Sequence, residues 1–278
     1  MNQLASFVKD EFGYNLASTW HRLRAGVNSN KRRVLINGGT KTGTTWMLKM
    51  VTSVPGYYIS SGYNFRGDIQ RYNEVLPGEV IHGHDPYSDE LWEILSRREI
   101  KVILMVRDPR DQAVSLMYHI ERDSSHPQHN TFMELDKAGR LSMCIGTDSS
   151  GFGGVSRWWH TLTKPWTDDT TKAICIRYED LSANTYQELS KAFRHVGIPA
   201  NNVLTRSIVK RNRFERLSRG RKIWQSGRVP GKEDKSSHYR KGIVGDWRNH
   251  FTDEHKRAFK EVNGDALIQL GYEKDFDW

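Results

Sequence analysis

Apolar positions recur along this chain with two different periods. Residues 1–30 are polar overall, but Leu4, Phe7, Val8, Phe12, Leu16 and Trp20 return at spacings near three and four. That spacing predicts an amphipathic helical lead packed on the rest of the molecule. Lys9, His21, Arg22 and Arg24 would give the lead weak contact with a membrane surface, which Asp10 and Glu11 oppose. From residue 31 onward, short apolar runs take over. Val34-Leu35-Ile36, Glu79 to His82, Lys101 to Val106 and Ala173 to Tyr178 predict strands, and the continuous apolar run at 101–106 marks one buried on both faces. Helices are predicted from Trp46 to Val51, from Ser88 to Leu95, from Pro109 through Met117 and through Trp158-Trp159. Another, along Leu189, Phe193 and Val196, stops at Gly197 and Pro199. Two more helices, near 252–262 and 264–270, close the chain. Residues 56–78 read as loop with short elements, and 121–152 as a polar excursion or lid. Alternation of strands and helices without an internal repeat predicts a single α/β domain over 31–278, with a mostly parallel central sheet flanked by helices.

The junction after the first predicted strand carries the chemistry. Gly38-Gly39-Thr40-Lys41-Thr42-Gly43-Thr44-Thr45-Trp46 is a tight loop between a strand and a helix start. Such a loop aims backbone N–H groups and a helix dipole at one spot, which favours an anion. From Gly38 to Gly43 the glycine spacing is that of a P-loop, but Thr44 stands where the P-loop lysine belongs, and Lys41 lies inside the loop instead. A P-loop lysine reaches the β- and γ-phosphates of a triphosphate; a lysine moved into the loop suits a shorter 5′ chain. In parallel sheets, ligands bind beyond the carboxyl ends of the strands. Lys41, His84, Arg107 and Tyr178 all fall at such ends, so residues far apart in sequence are expected to share one cleft.

Composition narrows the partners. Among the 278 residues, 37% are hydrophobic and 27% charged, ordinary for a globular domain. No window approaches the roughly 20 apolar residues of a membrane span. Met1 to Ser6 lacks a basic region followed by an apolar core, so no secretory signal is expected. The two cysteines, Cys144 and Cys175, do not form a framework, and Cys175 is expected in a buried strand; a reducing cytoplasm is the natural setting. The net charge of +9 favours anionic partners.

The segment Lys41-Thr42-Gly43-Thr44-Thr45-Trp46 resembles the phosphosulfate-binding loop of the cytosolic-type sulfotransferases, which use 3′-phosphoadenosine 5′-phosphosulfate (PAPS) and release adenosine 3′,5′-bisphosphate (PAP). Val106-Arg107-Asp108-Pro109-Arg110-Asp111-Gln112-Ala113-Val114-Ser115 is similar to the family's second motif, and Arg240-Lys241-Gly242-Ile243-Val244-Gly245-Asp246-Trp247 to its third. The resemblance spans about residues 33–272. It implies that Thr42, Gly43, Thr44 and Thr45 donate to the 5′ end, and that Lys41 stabilises the bridging oxygen as the bond to sulfur breaks. Arg107 and Ser115 would bind the 3′-phosphate, with Arg240, Lys241 and Gly242 closing over it. Trp46, Tyr178 and Phe214 would face the adenine; Asn212 departs from the family's usual Thr or Ser near that phenylalanine. The family's general base sits in a Lys-Thr-His-x-Pro pattern. The match here, His82-Gly83-His84-Asp85-Pro86, assigns His84 as the base and puts His82 in place of the lysine. The implied acceptor is a small molecule bearing a hydroxyl or an amine.

Other readings of the same residues bound this one. His82, His84 and Asp85 are zinc-ligand types, but sulfuryl transfer needs no metal and no further ligand cluster is evident. His119 is read as structural, and Trp158-Trp159 as packing. A P-loop-type nucleotide or small-molecule kinase would require a lysine directly after Gly43. A nucleic-acid-binding protein would interleave aromatic and basic residues on one surface, whereas here the basic residues sit at separate strand ends. The short C-terminal dimer motif of the family is degenerate around Arg248 to Arg257, which leaves the oligomeric state open.

Overall fold

The computed structural model describes residues 30–60, 65, 67–147, 151–219 and 226–278. The lead expected over 1–30 lies outside them, apart from Asn30. Five strands form one sheet: β1 (Arg33–Gly38), β2 (Tyr58–Ile59), β3 (Glu79–His82), β4 (Ile100–Val106) and β5 (Ala173–Arg177). They pair in the order β2-β3-β1-β4-β5, every pair parallel, with Ile36 opposite both His82 and Ile103. The chain moves to one side of β1 through β2 and β3, then crosses to the other through β4. The switch point therefore lies at the carboxyl ends of β1 and β4, where an open α/β sheet leaves its crevice.

The alternation of side chains splits the core in two. Val34 and Ile36 of β1, with Ile103 and Met105 of β4, pack on one face; Leu35, Val102, Leu104 and Val106 pack on the other. The first face is covered by α1 (Thr44–Val51), α8 (Tyr178–Ala183), α9 (Thr185–Val196) and α10 (Asn202–Arg211). The second is covered by a 3₁₀ turn (Ile69–Glu74), α2 (Asp89–Arg97) and α7 (Lys164–Thr167). Local signals set several ends. Ser88 accepts from the Leu91 N–H at 3.1 Å to start α2. Asp108 accepts from the Arg110 N–H at 2.9 Å, with Pro109 in the first turn of α3 (Pro109–Arg122). Gly197, at φ 71°, ends α9.

Three expectations need correcting. The polar stretch 121–152 contains two helices, α4 (His129–Glu134) and α5 (Lys137–Ile145). They bury Phe132, Leu141, Met143, Cys144 and Ile145 against Ala113, Val114 and Met117 of α3. Tertiary burial of a few apolar side chains outweighs the polar composition. The stretch 252–270 is one helix, α12 (Asp253–Gln269), rather than two. Gly264 does not break it; a Cβ there would lie 2.2 Å from the Phe276 ring, so this glycine makes room for the returning C-terminal tail. Cys175 is exposed, because β5 is an edge strand. The remaining helices are α6 (Gly154–Trp158), which continues through a π turn at Trp159–Thr163, and α11 (Phe214–Ser218).

Candidate active site

The loop after β1 is shaped by close approach. Gly43 caps α1 at φ 95°, and a Cβ on it would stand 2.9 Å from the Tyr178 ring. Lys41 is held at φ 72°, a left-handed conformation uncommon for a residue with a side chain. The Thr42 hydroxyl donates to the Gly39 carbonyl at 2.8 Å, and Gln112 on α3 donates to the Thr40 carbonyl at 2.8 Å. The loop is thus pinned from inside and from α3. Trp46 donates from its indole N–H to the Asn212 carbonyl at 2.8 Å and meets Tyr178 edge-on at 5.9 Å. The Asn212 amide donates to the Ile208 carbonyl at 2.9 Å, closing the end of α10, and to the Ser53 hydroxyl at 3.2 Å, which ties that end to the segment after α1.

The strand end at β3 brings His84 to the same loop. Asn37, fully buried in β1, donates its amide to the Asp85 carbonyl and accepts the Asp85 N–H, both at 2.9 Å. The Asp85 carboxylate accepts the Tyr72 hydroxyl at 2.8 Å, and Trp166 donates to the Asp85 carbonyl at 3.0 Å. His84 is thereby fixed at its backbone. Its Nδ1 lies 2.5 Å from the Gly38 carbonyl. A carbonyl only accepts, so Nδ1 carries the proton and Nε2 presents a lone pair. Trp158 packs against this ring at 5.7 Å, and His82 against it at 4.9 Å. His82 Nε2 is 2.8 Å from the Thr44 hydroxyl, so the residue in the family's lysine position contacts the loop.

Positive charge is concentrated here. Burial lowers the Lys41 ammonium to about 7, and Arg122, Arg107 and Arg240 push in the same direction. Burial also lowers His84, which keeps its imidazole neutral near neutral pH, and it takes His82 down to about 3. Arg107, at the end of β4, reaches the Lys41 and Ile243 carbonyls at 3.4 Å and lies 4.5 Å over the Tyr178 ring. Its Nε is buried and has no hydrogen-bond partner among the described residues. Arg107 stands only 3.7 Å from Asp111, but Asp111 serves chiefly as an acceptor for the Gly245 and Trp247 N–H groups, at 2.7 and 2.9 Å. Ser115 is half-buried one helical turn beyond Asp111, on the face of α3 turned to that segment.

The basic segment folds back over the site. Gly242, at φ 66°, would place a Cβ 2.4 Å from the Phe214 ring, so Phe214 seats directly on this glycine. Arg240 and Lys241 pair with Asp246, Lys241 at 2.6 Å, and Arg240 also pairs with Glu233. Burial opposes ionisation of Asp246, but hydrogen bonds from His250, Lys241, Arg240 and Asn249 hold its carboxyl far below the usual range. The structure therefore brings together Lys41 to Trp46, His84, Arg107, Tyr178, Phe214 and Gly242 around one switch point. It sets Arg240 and Lys241 at the rim on an internal carboxylate. Asn37, Asp111, Gln112, Trp158 and Asp246 also shape the site, and sequence reasoning missed these roles. Asn37 and Asp111 had a usable signal, a polar residue in an apolar strand and an acid in a first helical turn. Among the described residues no three His, Cys, Asp or Glu side chains gather as a metal site would need. No helix there is long and apolar enough to cross a membrane.

This arrangement has known relatives. A family model for the sulfotransferase domain matches residues 31–271, and the chain belongs to that family. Sulfotransferase 1E1 of Bos taurus is 24% identical over 237 residues, covering 76% of this chain and 75% of its own; sulfotransferase 1B1 of Mus musculus is 24% identical over 277 residues, covering 90% and 87%. Among solved structures, mouse sulfotransferase SULT7A1 complexed with PAP aligns with a TM-score of 0.65 at 19% identity, over 90% of this chain and 93% of that one. Retinol dehydratase in complex with androsterone and PAP aligns with a TM-score of 0.56 at 15% identity, over 86% and 82%.

Proposed function

We propose that the protein transfers the sulfuryl group of PAPS to a hydroxyl or amine of a small-molecule acceptor and releases PAP. The observation that carries this reading is the pairing of Lys41 and His84 at one loop, with His84 Nδ1 held on the Gly38 carbonyl. A donor nucleotide with anionic groups at both ends fits the residues present. Lys41, its charge weakened, stands with Arg107 and Arg240, and the buried Arg107 Nε has a donor to spare. PAPS, when bound, supplies the electrophilic sulfur.

The chain's own residues do the rest. His84 Nε2 takes the proton from the acceptor as the acceptor's oxygen or nitrogen bonds to sulfur. The bond between sulfur and the bridging oxygen breaks, and that oxygen leaves with its electron pair as part of PAP. Lys41 and the N–H groups of Gly43 to Thr45 offset the charge that grows there. Arg107 and Ser115 hold the 3′-phosphate, joined by Gly242 and by Arg240 and Lys241 once these exchange Asp246 for phosphate. Trp46, Tyr178 and Phe214 form the adenine wall.

Calorimetric titration with PAP and with ATP–Mg²⁺ tests the reading. PAP is expected to bind at least tenfold tighter, since two ion-paired phosphate sites outweigh one; preference for ATP–Mg²⁺ would favour a kinase and overturn it.

A further inference from the structure

A second cluster of donors continues along α3 beyond the nucleotide loop. Gln112 touches Thr40, and Ser115, His119 and Arg122 follow on the same helical face, at the spacings that stack side chains one above another. Arg122 reaches across to the returning basic segment and donates to the Ser237 carbonyl at 2.8 Å. Its other terminal nitrogen lies 3.2 Å from His119 Nδ1. A guanidinium only donates, so His119 Nδ1 accepts, and the His119 proton must sit on Nε2. His119 thus presents an N–H donor, not a base. His126 stands edge-on to His119 at 5.9 Å, and exposed His238 lies on the facing segment beside Tyr239.

Asp123 and Asp234 are the acids that act on Arg122, and burial outweighs both. Asp234 pairs with Arg228 at 3.8 Å. The nearby acids are turned into their own turns. Asp123 accepts the Ser125 N–H and hydroxyl, at 3.1 and 2.6 Å; Asp234 accepts the Ser236 N–H and hydroxyl, at 3.0 and 2.6 Å. Glu121 pairs with Arg140 at 3.2 Å. Burial, reinforced by Lys41 and Arg122, lowers His119 to about 3, so it stays neutral and keeps the Nε2–H. Gln112, at the start of this face, anchors the Thr40 carbonyl of the same loop whose Gly38 carbonyl holds His84, so the cluster runs out from the loop that seats His84. All of Arg122, His119 and His126 are partly accessible to solvent.

We propose that Arg122 and the His119 Nε2–H receive an oxyanion carried by the acceptor, a carboxylate or a phosphate or sulfate ester, while the acceptor's nucleophile faces His84. The acceptor class is then an anionic hydroxyl or amine compound, and the enzyme selects it by charge. This deepens the sulfuryl-transfer reading and rests on it for the position of the nucleophile. An uncharged acceptor would forgo a charge-assisted pair with Arg122.

The test uses the full chain saturated with PAP and titrated by calorimetry with phenol, 4-hydroxybenzoate and phenyl phosphate. The two anions are expected to bind about tenfold or more tightly than phenol, in line with a hydrogen bond between charged groups. Arg122→Gln and His119→Phe should each bring the three probes close to equal affinity and leave the PAP Kd within about twofold, which also shows that both variants fold. Equal or undetectable binding of all three probes to the parent protein overturns the proposal, as does an anion preference that survives both substitutions. A loss of PAP affinity in Arg122→Gln would assign the cluster to the nucleotide and overturn it equally. Failure of PAP to bind the parent protein would instead strike the sulfuryl-transfer reading; the same probe comparison without nucleotide then decides the anion site by itself.

Discussion

In the proposed transfer, two titratable residues, Lys41 and His84, set how the site responds to pH. His84 must be neutral to accept a proton, and its pKa is lowered from 6.5 by burial, so the neutral form persists into mildly acid solution. In that proposal Lys41 must be protonated to stabilise the leaving oxygen, and burial lowers it to about 7. The rate constant kcat/KM for PAPS reports the free protein. It is expected to fall on the acid side below pH 6.5 and on the alkaline side above about 7. Anionic nucleotide should raise Lys41 by opposite charge, so the alkaline limb of kcat should lie higher than that of kcat/KM. Steady-state kinetics across pH in both regimes measures this; coincident alkaline limbs would mean that Lys41 is not the group observed. Replacing His84 by Ala is expected to lower kcat by about two to four orders of magnitude and to leave PAP affinity nearly unchanged. Near-normal turnover of that variant at neutral pH would assign the base elsewhere.

At the level of elements, the segment 226–246, proposed to close over the nucleotide, is seated through a glycine. Gly242 lies under the Phe214 ring at φ 66°. Gly242→Ala adds left-handed strain of about 1–3 kcal/mol and a clash with that ring. PAP affinity is expected to fall about tenfold, with the melting temperature shifted by only a few degrees, because the site is at the rim and not in the core. Calorimetry and thermal unfolding on the same variant separate the two effects; a large loss of stability with unchanged affinity would make Gly242 a core residue and not a lid residue. The ends of α2, α3 and α9 were legible from their capping residues. Helices α4 and α5 were not, because their apolar residues are few and acquire meaning only against α3.

For the whole molecule, Arg110 joins the start of α3 to the C-terminal tail. Its guanidinium pairs with Asp108 at 2.8 Å and Glu273 at 2.6 Å, and it lies between the Trp247 and Trp278 rings, at 4.1 and 4.4 Å. The side chain is only 2% exposed, so removing it strands two carboxylates. Arg110→Ala is expected to cost about 3–5 kcal/mol, as for one partner of a buried ion pair. Urea unfolding measures it, and a change under 1 kcal/mol would show that the tail contributes no stability through this residue. This clamp sits behind Asp111, which holds Gly245 and Trp247, so the C-terminal tail, the segment 240–247 and α3 share one set of contacts.

Local chemistry is enough to read four of the five strands, though not the two-residue β2 within 56–78, together with the loop after β1, the displaced Lys41 and the ordered motifs around Arg107, Tyr178 and Arg240. These depend on short-range patterns: alternation, glycine spacing, capping and proline placement. Convergence depends on strand order, which no short window contains. Only the order β2-β3-β1-β4-β5 puts His84, two strands of sequence away, against the Gly38 carbonyl and so decides which imidazole nitrogen holds the proton. Likewise, the folded chain alone decides that Arg240 and Lys241 meet Asp246, that Cys175 lies on an edge, and that Gly264 yields space to Phe276. The loop's row of donors is written locally because they are neighbours in the chain; the proposed site is tertiary because His84, Arg107 and Gly242 come from distant segments.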